Sequence, residues 1–182
     1  MNQYQEYTVK LAPAFAYEGQ EYTEIHFNFG KLTGKDAVDI EEEMTAQGIA
    51  AVQNEATDGK YQMIAAAKAS GVSEDVLKAL PLKKNMEIKR AARRYMLNAE
   101  SKLPGKVKAA LDQMTGEVAE QVENELRAEG HTMYNLPAVD TQYCVKMAAR
   151  AADMTEDEVL ALTMDEYLDV KMAVRFFLLG VG

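Results

Sequence analysis

Two periods divide the chain. Between residues 6 and 29 apolar and polar side chains alternate: Thr23, Ile25, Phe27 and Phe29 fall on one side, and Glu24, His26 and Asn28 on the other, the pattern of a half-buried strand. Val9 and Leu11, separated by Lys10, offer a shorter partner strand, with Pro13 ending it and Glu18-Gly19 supplying the turn. These positions predict a β-hairpin. A lone hairpin is marginal in water, so its apolar face has to rest on the segments that follow. From Thr33 onward the period becomes helical. Thr33 reads as an N-cap, Asp36 puts an acid in the first turn, and Ile40 and Met44 open an apolar stripe. A second helix follows from about Tyr61, and a short third one after Ser73-Glu74-Asp75. The fourth is opened by Pro81 and carries Ile88, Ala91, Ala92, Tyr95 and Met96 on one face.

The helical pattern then repeats with an offset of 82: Thr33-Gly34 returns as Thr115-Gly116, Tyr61 as Tyr143, and Glu74-Asp75 as Glu156-Asp157. Roughly a third of positions are identical between 33–97 and 115–179 without a gap. Composition alone does not explain this, because Gly48 with Gly130, Asp58 with Asp140 and Ala79-Leu80 with Ala161-Leu162 all keep one register. In the second copy Val107, Leu111, Met114, Val118, Val122 and Leu126 form one long stripe, which predicts a continuous helix with Thr115-Gly116 inside it. Thr155 with Glu158 forms a capping box, Thr163 with Glu166 caps the last helix, and Val170, Ala173, Val174, Phe177 and Leu178 form its apolar face. Leu103-Pro104-Gly105-Lys106 supplies the break between copies. The expected architecture is mainly α (α+β): an N-terminal β-hairpin packed on a duplicated four-helix unit. The hairpin takes residues 1–30 and repeat one 31–100. A linker and the start of the long helix take 101–112, and repeat two takes 113–182.

A chain of 182 residues with 48% hydrophobic side chains can bury a core. Its net charge of −9 works against general attraction to nucleic acid or anionic membranes. The single cysteine, Cys144, excludes an intramolecular disulfide framework and fits a reducing cytoplasm. Met1-Asn2-Gln3-Tyr4 shows no basic region leading into an apolar run. No apolar run reaches the ~18 residues of a membrane span, so neither secretion nor anchoring is expected. The apolar end, Phe176-Phe177-Leu178-Leu179, reads as a packing face.

Reactive chemistry is hard to assemble from these residues. Gly30-Lys31-Leu32-Thr33-Gly34-Lys35-Asp36 approximates a phosphate-binding loop. It is one residue short between its glycines, and it ends in Asp where a metal-coordinating hydroxyl belongs. His26 and His131 lack Cys or His partners at metal-ligand spacing. Cys144 as a nucleophile would need His131 as its base, and its counterpart in the first copy is Gln62, so it reads as a buried filler. No catalytic residue, cofactor or metal is expected, and the chain is not expected to be an enzyme. One charge bias stands out between Lys78 and Lys108, where Lys83, Lys89, Arg90, Arg93 and Arg94 share the 83–94 helix, and Lys89 and Arg93 recur as Lys171 and Arg175. These seven cations are either a solvated face or a docking strip for an acidic partner. A helical regulatory protein that binds nucleic acid through the 83–94 helix is the alternative reading, although no aromatic stacking set accompanies the charge. Eleven methionines add adaptable apolar surface, suited to a transient binder and equally to core filling.

A family resemblance rests on particular residues. Tyr7-Thr8-Val9-Lys10-Leu11, Tyr17-Glu18-Gly19-Gln20-Glu21-Tyr22-Thr23-Glu24-Ile25, Lys31-Leu32-Thr33-Gly34-Lys35-Asp36 and Ile40-Glu41-Glu42-Glu43 together resemble the tail assembly chaperones of long-tailed bacteriophages. Leu80-Pro81-Leu82 leading into Ile88–Leu97 is similar too, and the family's aromatic-aliphatic helix end is matched by Phe176-Phe177-Leu178-Leu179. The resemblance covers residues 7–100 directly and the second copy through the duplication. It implies a non-catalytic protein that binds the tape measure protein and tail tube subunits in the cytoplasm of the bacterial host and is absent from the mature virion. The duplicated unit departs from the usual single copy, and self-association stays open.

Overall fold

The computed structural model describes residues 4–49 and 54–181; Met1 to Gln3 of the opening segment lie outside the described residues. The chain is mainly helical and opens on an antiparallel hairpin of β1 (Glu6–Tyr17) and β2 (Gln20–Asn28). Glu18 and Gly19 both take positive φ, 48° and 83°, as a two-residue turn matched to the twist of its strands requires. Val9 faces Ile25 and Tyr7 faces Phe27, and Val9, Leu11, Ile25 and Phe27 are buried. Pro13 does not end the first strand. β1 runs past it, with a register shift between Lys10 and Phe15, after which Phe15 pairs with Tyr22. In a two-stranded sheet a proline at such an irregularity removes no ladder bond, so the strand can resume.

Four helices follow, α1 (Gly34–Ala46), α2 (Gly59–Ser70), α3 (Glu74–Ala79) and α4 (Leu82–Met96). Thr33 caps α1 in a full capping box: its Oγ1 accepts the Asp36 N–H, and the Asp36 carboxylate accepts the Thr33 N–H at 2.9 Å. The segment that approximated a phosphate loop therefore turns its acid onto its own backbone. Asp58 caps α2, accepting the N–H groups of Lys60 and Tyr61 at 2.8 Å. The hairpin's apolar face rests on α2 and α4, and Phe29 stacks between Phe27 (5.8 Å) and Tyr95 (5.5 Å). A 3-10 turn, Phe29–Lys31, joins the hairpin to α1.

After α5 (Leu103–Leu111) the helical order repeats as α6 (Gly116–Ala128), α7 (Thr141–Ala152), α8 (Glu156–Leu160) and α9 (Met164–Leu179). Each helix of this set starts 82 residues after its counterpart: Gly34 and Gly116, Gly59 and Thr141, Glu74 and Glu156, Leu82 and Met164. The left-handed positions repeat as well, Gly48 with Gly130 (φ 75° and 79°) and Gly71 with Asp153 (72° and 59°). The duplication is thus structural, helix start for helix start.

The expected long helix is broken. α5 stops at Leu111, and Thr115 is extended (φ −92°, ψ 162°) at the N-cap of α6. This is the place Thr33 holds in the first copy, and it keeps Gly116 out of a helix interior, where glycine costs about 1 kcal/mol. Thr115 makes no side-chain capping bond, and Val118 in the place of Asp36 offers no carboxylate to complete a box. Pro104-Gly105 is not a break either but lies in the first turn of α5, where a missing N–H costs nothing. The interruption falls between α4 and α5.

By contacts the chain divides into two compact units. The first holds the residues up to Ala99 together with Thr163–Asp165, and the second holds Glu100–Leu162 and Glu166 onward. In the first, Phe27, Ile40, Met44, Tyr61, Leu77, Ile88 and Tyr95 make the core; in the second, Val107, Leu111, Val122, Leu126, Tyr143, Val159 and Val174 do. Among the described residues no helix is long and apolar enough to cross a membrane.

The matched left-handed positions give a test of backbone chemistry. Nothing lies within 4 Å of a Cβ placed on Gly71, so Gly71→Ala meets no clash and is penalised only by its φ of 72°. It should lower stability by about 1 kcal/mol, while Asp153→Gly should change it by less than about 0.5 kcal/mol. Both are read from urea unfolding midpoints at unchanged slope.

Candidate functional site

The last helix of each repeat carries a groove, and the two grooves are built on the same positions. In the first unit Glu87, Arg90, Ala91 and Arg94 of α4 line a cleft of about 370 Å³, whose opposite wall comes from Tyr4, Glu6 and Tyr7 at the start of the hairpin. In the second unit the counterparts Asp169, Met172, Ala173 and Phe176 of α9 line a groove of about 590 Å³. There the opposite wall is Pro104 and Lys108 of α5 and its C-cap Asp112. The non-repeated hairpin and the non-repeated α5 therefore flank equivalent faces of equivalent helices. They also pack on equivalent second helices, β2 on α2 and α5 on α7.

The chemistry of the two faces differs. The first is polar and internally paired: the Arg94 guanidinium lies 5.8 Å over the Tyr4 ring, and the Tyr7 hydroxyl donates to Glu87 at 2.9 Å. Lys84 Nζ donates to the same Glu87 carboxylate at 3.0 Å. Burial alone would raise the Glu87 carboxyl, but these bonds from Lys84 and Tyr7 outweigh it and hold the group below its ordinary range. Burial and the Glu87 partner together push the Tyr7 phenol up. The second face is apolar. Arg90 and Arg94 are replaced by Met172 and Phe176, and Phe176 is 48% exposed, Leu179 50% and Val181 53%. Phe177, expected in the buried stripe, is 37% exposed and lines the same groove.

The expected cationic strip is only partly assembled. Lys83, Arg90, Arg93 and Arg94 are exposed on α4. Lys89 is half-buried, its Nζ 3.5 Å from where a Cβ on Gly59 would stand. Lys171 and Arg175 are not part of any exposed strip, being 2% and 4% exposed. Lys171 Nζ bonds Thr141 Oγ1 at 3.0 Å, at the start of α7, as Lys89 approaches Gly59 at the start of α2. Arg175 Nε donates to the Ala138 carbonyl at 3.1 Å.

That last bond explains why Arg175 is inside. In the first unit the equivalent carbonyl, Ala56, accepts from Gln62 Nε2 at 2.7 Å. Gln62 is replaced by Cys144, whose thiol lies 3.8 Å from Ala138 O and is only a weak donor. A buried carbonyl without a good partner is costly, and Arg175 reaches in to supply one. Cys144 is 1% exposed, in keeping with a filler. His131 turns its Nε2 to the buried Asp140 carboxylate at 2.8 Å. The same carboxylate accepts the Tyr134 and Tyr143 N–H groups. His26 is exposed and bonded to Thr8 and Glu24. Among the described residues no group of three or more His, Cys, Asp or Glu is placed to hold a metal ion. Met44, Met63, Met96, Met147 and Met164 fill the cores, whereas Met172 lines the α9 groove.

Sequence reasoning missed this groove because it assigned the end of α9 to packing. The signal was present in the comparison of copies, where Arg90 and Arg94 become Met172 and Phe176 on a face that α4 leaves to solvent. Comparison with protein families, curated proteins and solved structures gives no match for this chain.

The carbonyl exchange predicts a reversal of sign. Arg175→Met should cost about 2 kcal/mol by orphaning the Ala138 carbonyl. Cys144→Gln should destabilise the unaltered chain by overpacking against Arg175, yet stabilise the Arg175→Met background by restoring the donor of the first unit. A denaturation double-mutant cycle reads both.

Proposed function

We propose that this chain is a tail assembly chaperone of a long-tailed bacteriophage, a non-catalytic protein of the host cytoplasm. It holds the tape measure protein and tail tube subunits during assembly and leaves before the virion is complete. The observation that carries this reading is the open apolar groove along α9 on a chain of net charge −9. A long helical tape measure exposes apolar stripes until the tube encloses it, and an acidic carrier with an adaptable groove would hold those stripes apart. Met172 on the groove floor provides a side chain that repacks against varied surfaces. The residues that resemble the family lie mostly in the hairpin and first repeat, and the second repeat adds the apolar form of the same helix face.

A second reading has its own observation: Lys83, Arg90, Arg93 and Arg94 are exposed on α4, as nucleic-acid binding through that helix would need. Glu87 sits among them and Arg94 is engaged by Tyr4, which weakens the strip as a phosphate track.

Co-expression with the tape measure product of the same phage should raise the soluble fraction of that product several-fold, and Phe176→Asp should remove most of the gain. A low-salt mobility shift abolished by Arg90→Glu and Arg94→Glu, without any change in tape measure solubility, would favour the second reading instead.

A further inference from the structure

The α5–α9 groove has a specific architecture, and it restricts what can fill it. Both walls are helical ridges. α9 contributes Met172 and Phe176 a turn apart, and α5 contributes Pro104 and Lys108, with Asp112 following at its C-cap. The backbone groups of these walls are spent inside their own helices. At the end of α9 the N–H groups of Gly180 and Val181 return to Phe177 O (3.1 Å) and Phe176 O (3.0 Å). An extended segment laid here would find no sheet edge to pair with, whereas a helix arrives with its own bonds made.

The charge around the groove selects the flanks of such a helix. The second unit carries fourteen Asp and Glu against eight Lys and Arg, and three of the eight, Lys146, Lys171 and Arg175, are buried. Of the charged groups lining the groove, Asp112 and Asp169 are carboxylates and Lys108 is the cation. A second copy of this chain would bring a like-charged unit to the groove, which opposes pairing. The first repeat supplies the contrast, since the same positions there are Arg90 and Arg94, and Arg94 is covered by Tyr4 of the chain itself.

We infer that the α5–α9 groove is a docking site for one amphipathic helix of a partner protein, its apolar stripe seated on Met172, Ala173 and Phe176 and its flanks lysine- or arginine-rich. This deepens the proposed client-holding role and rests on it only for the name of the client. The four-cation face of α4 takes no part in it.

The test uses the full chain and three designed peptides of about 18 residues, followed by fluorescence anisotropy. One carries leucines at i, i+3, i+4 and i+7 with lysines on its flanks. The second keeps the leucines but has glutamates on the flanks, and the third has the composition of the first with the leucines out of helical phase. The first should bind about tenfold or more tighter than either of the others. Phe176→Asp and Met172→Asp should each weaken it about tenfold even though they add negative charge, which would strengthen a merely electrostatic association. Arg90→Glu should leave the affinity unchanged. Phe176 is half exposed, so its variant should keep the helical circular dichroism of the parent.

Equal binding of the lysine and glutamate peptides would overturn the proposal. So would affinity insensitive to Phe176→Asp, or a dimer in sedimentation that Phe176→Asp dissolves. Failure of the peptides while tape measure solubility still rises would sink this inference and leave the chaperone role standing. Peptide binding without a solubility gain would do the reverse.

Discussion

The structure depends on one constraint: a four-helix repeat of this size cannot cover both sides of its own last helix. One flank of α4 and of α9 packs on the repeat's core through Ile88 and Tyr95, or Val170 and Val174. The other flank needs something from outside the repeat. Small units bury too little surface to leave a helix half solvated without consequence. In the first unit the hairpin packs on α4, and in the second α5 lines the groove beside α9, each also packing on the second helix of its repeat. Two unrelated elements thus hold the same structural position, and the space each leaves beside the last helix becomes the groove.

Duplication fixed the backbone and left the side chains to solve the same local problems twice. The Ala56 carbonyl is satisfied from α2 by Gln62, and the Ala138 carbonyl from α9 by Arg175. The acid opening the third helix is held by a lysine of the second helix in both copies, but the lysine has moved one turn: Lys60 binds Glu74 at 2.8 Å, and Lys146 binds Glu156 at 2.7 Å. Lys146 is 5% exposed, and its counterpart is the apolar Ile64. Burial alone would lower the Lys146 ammonium, but bonds to Glu156 and Glu129 outweigh it and raise the group above its ordinary value. Side chains that differ in this way at equal backbone positions are the means by which one unit presents a paired polar cleft and the other an open apolar groove.

What was legible in the sequence was local. Thr33 specifies its N-cap and Thr155-Glu158 a capping box within four residues, Glu18-Gly19 specifies its turn, and the offset of 82 follows from punctuation alone. What failed needed a neighbour distant in sequence. The stripe from Val107 to Leu126 kept helical phase across Asp112–Thr115, so periodicity could not reveal a break that only the register with Thr33-Gly34 demands. Pro13 reads as a stop unless the irregular pairing after Lys10 is known. Lys171 and Arg175 look like surface cations until Thr141 and the Ala138 carbonyl are found beside them. Phe176 looks like core until α5 is placed, because a phenylalanine at a helix end carries no mark of which side its neighbours occupy.

The central claim is that the client meets the chain on the apolar face of the second unit and not on the cationic face of the first. Amide hydrogen exchange on the full chain, with and without co-purified tape measure protein, tests it most directly. Protection is expected to concentrate in α5 and in the half of α9 that carries Phe176 and Leu179, with α4 and the hairpin unchanged. Protection confined to α4 and the hairpin would contradict it.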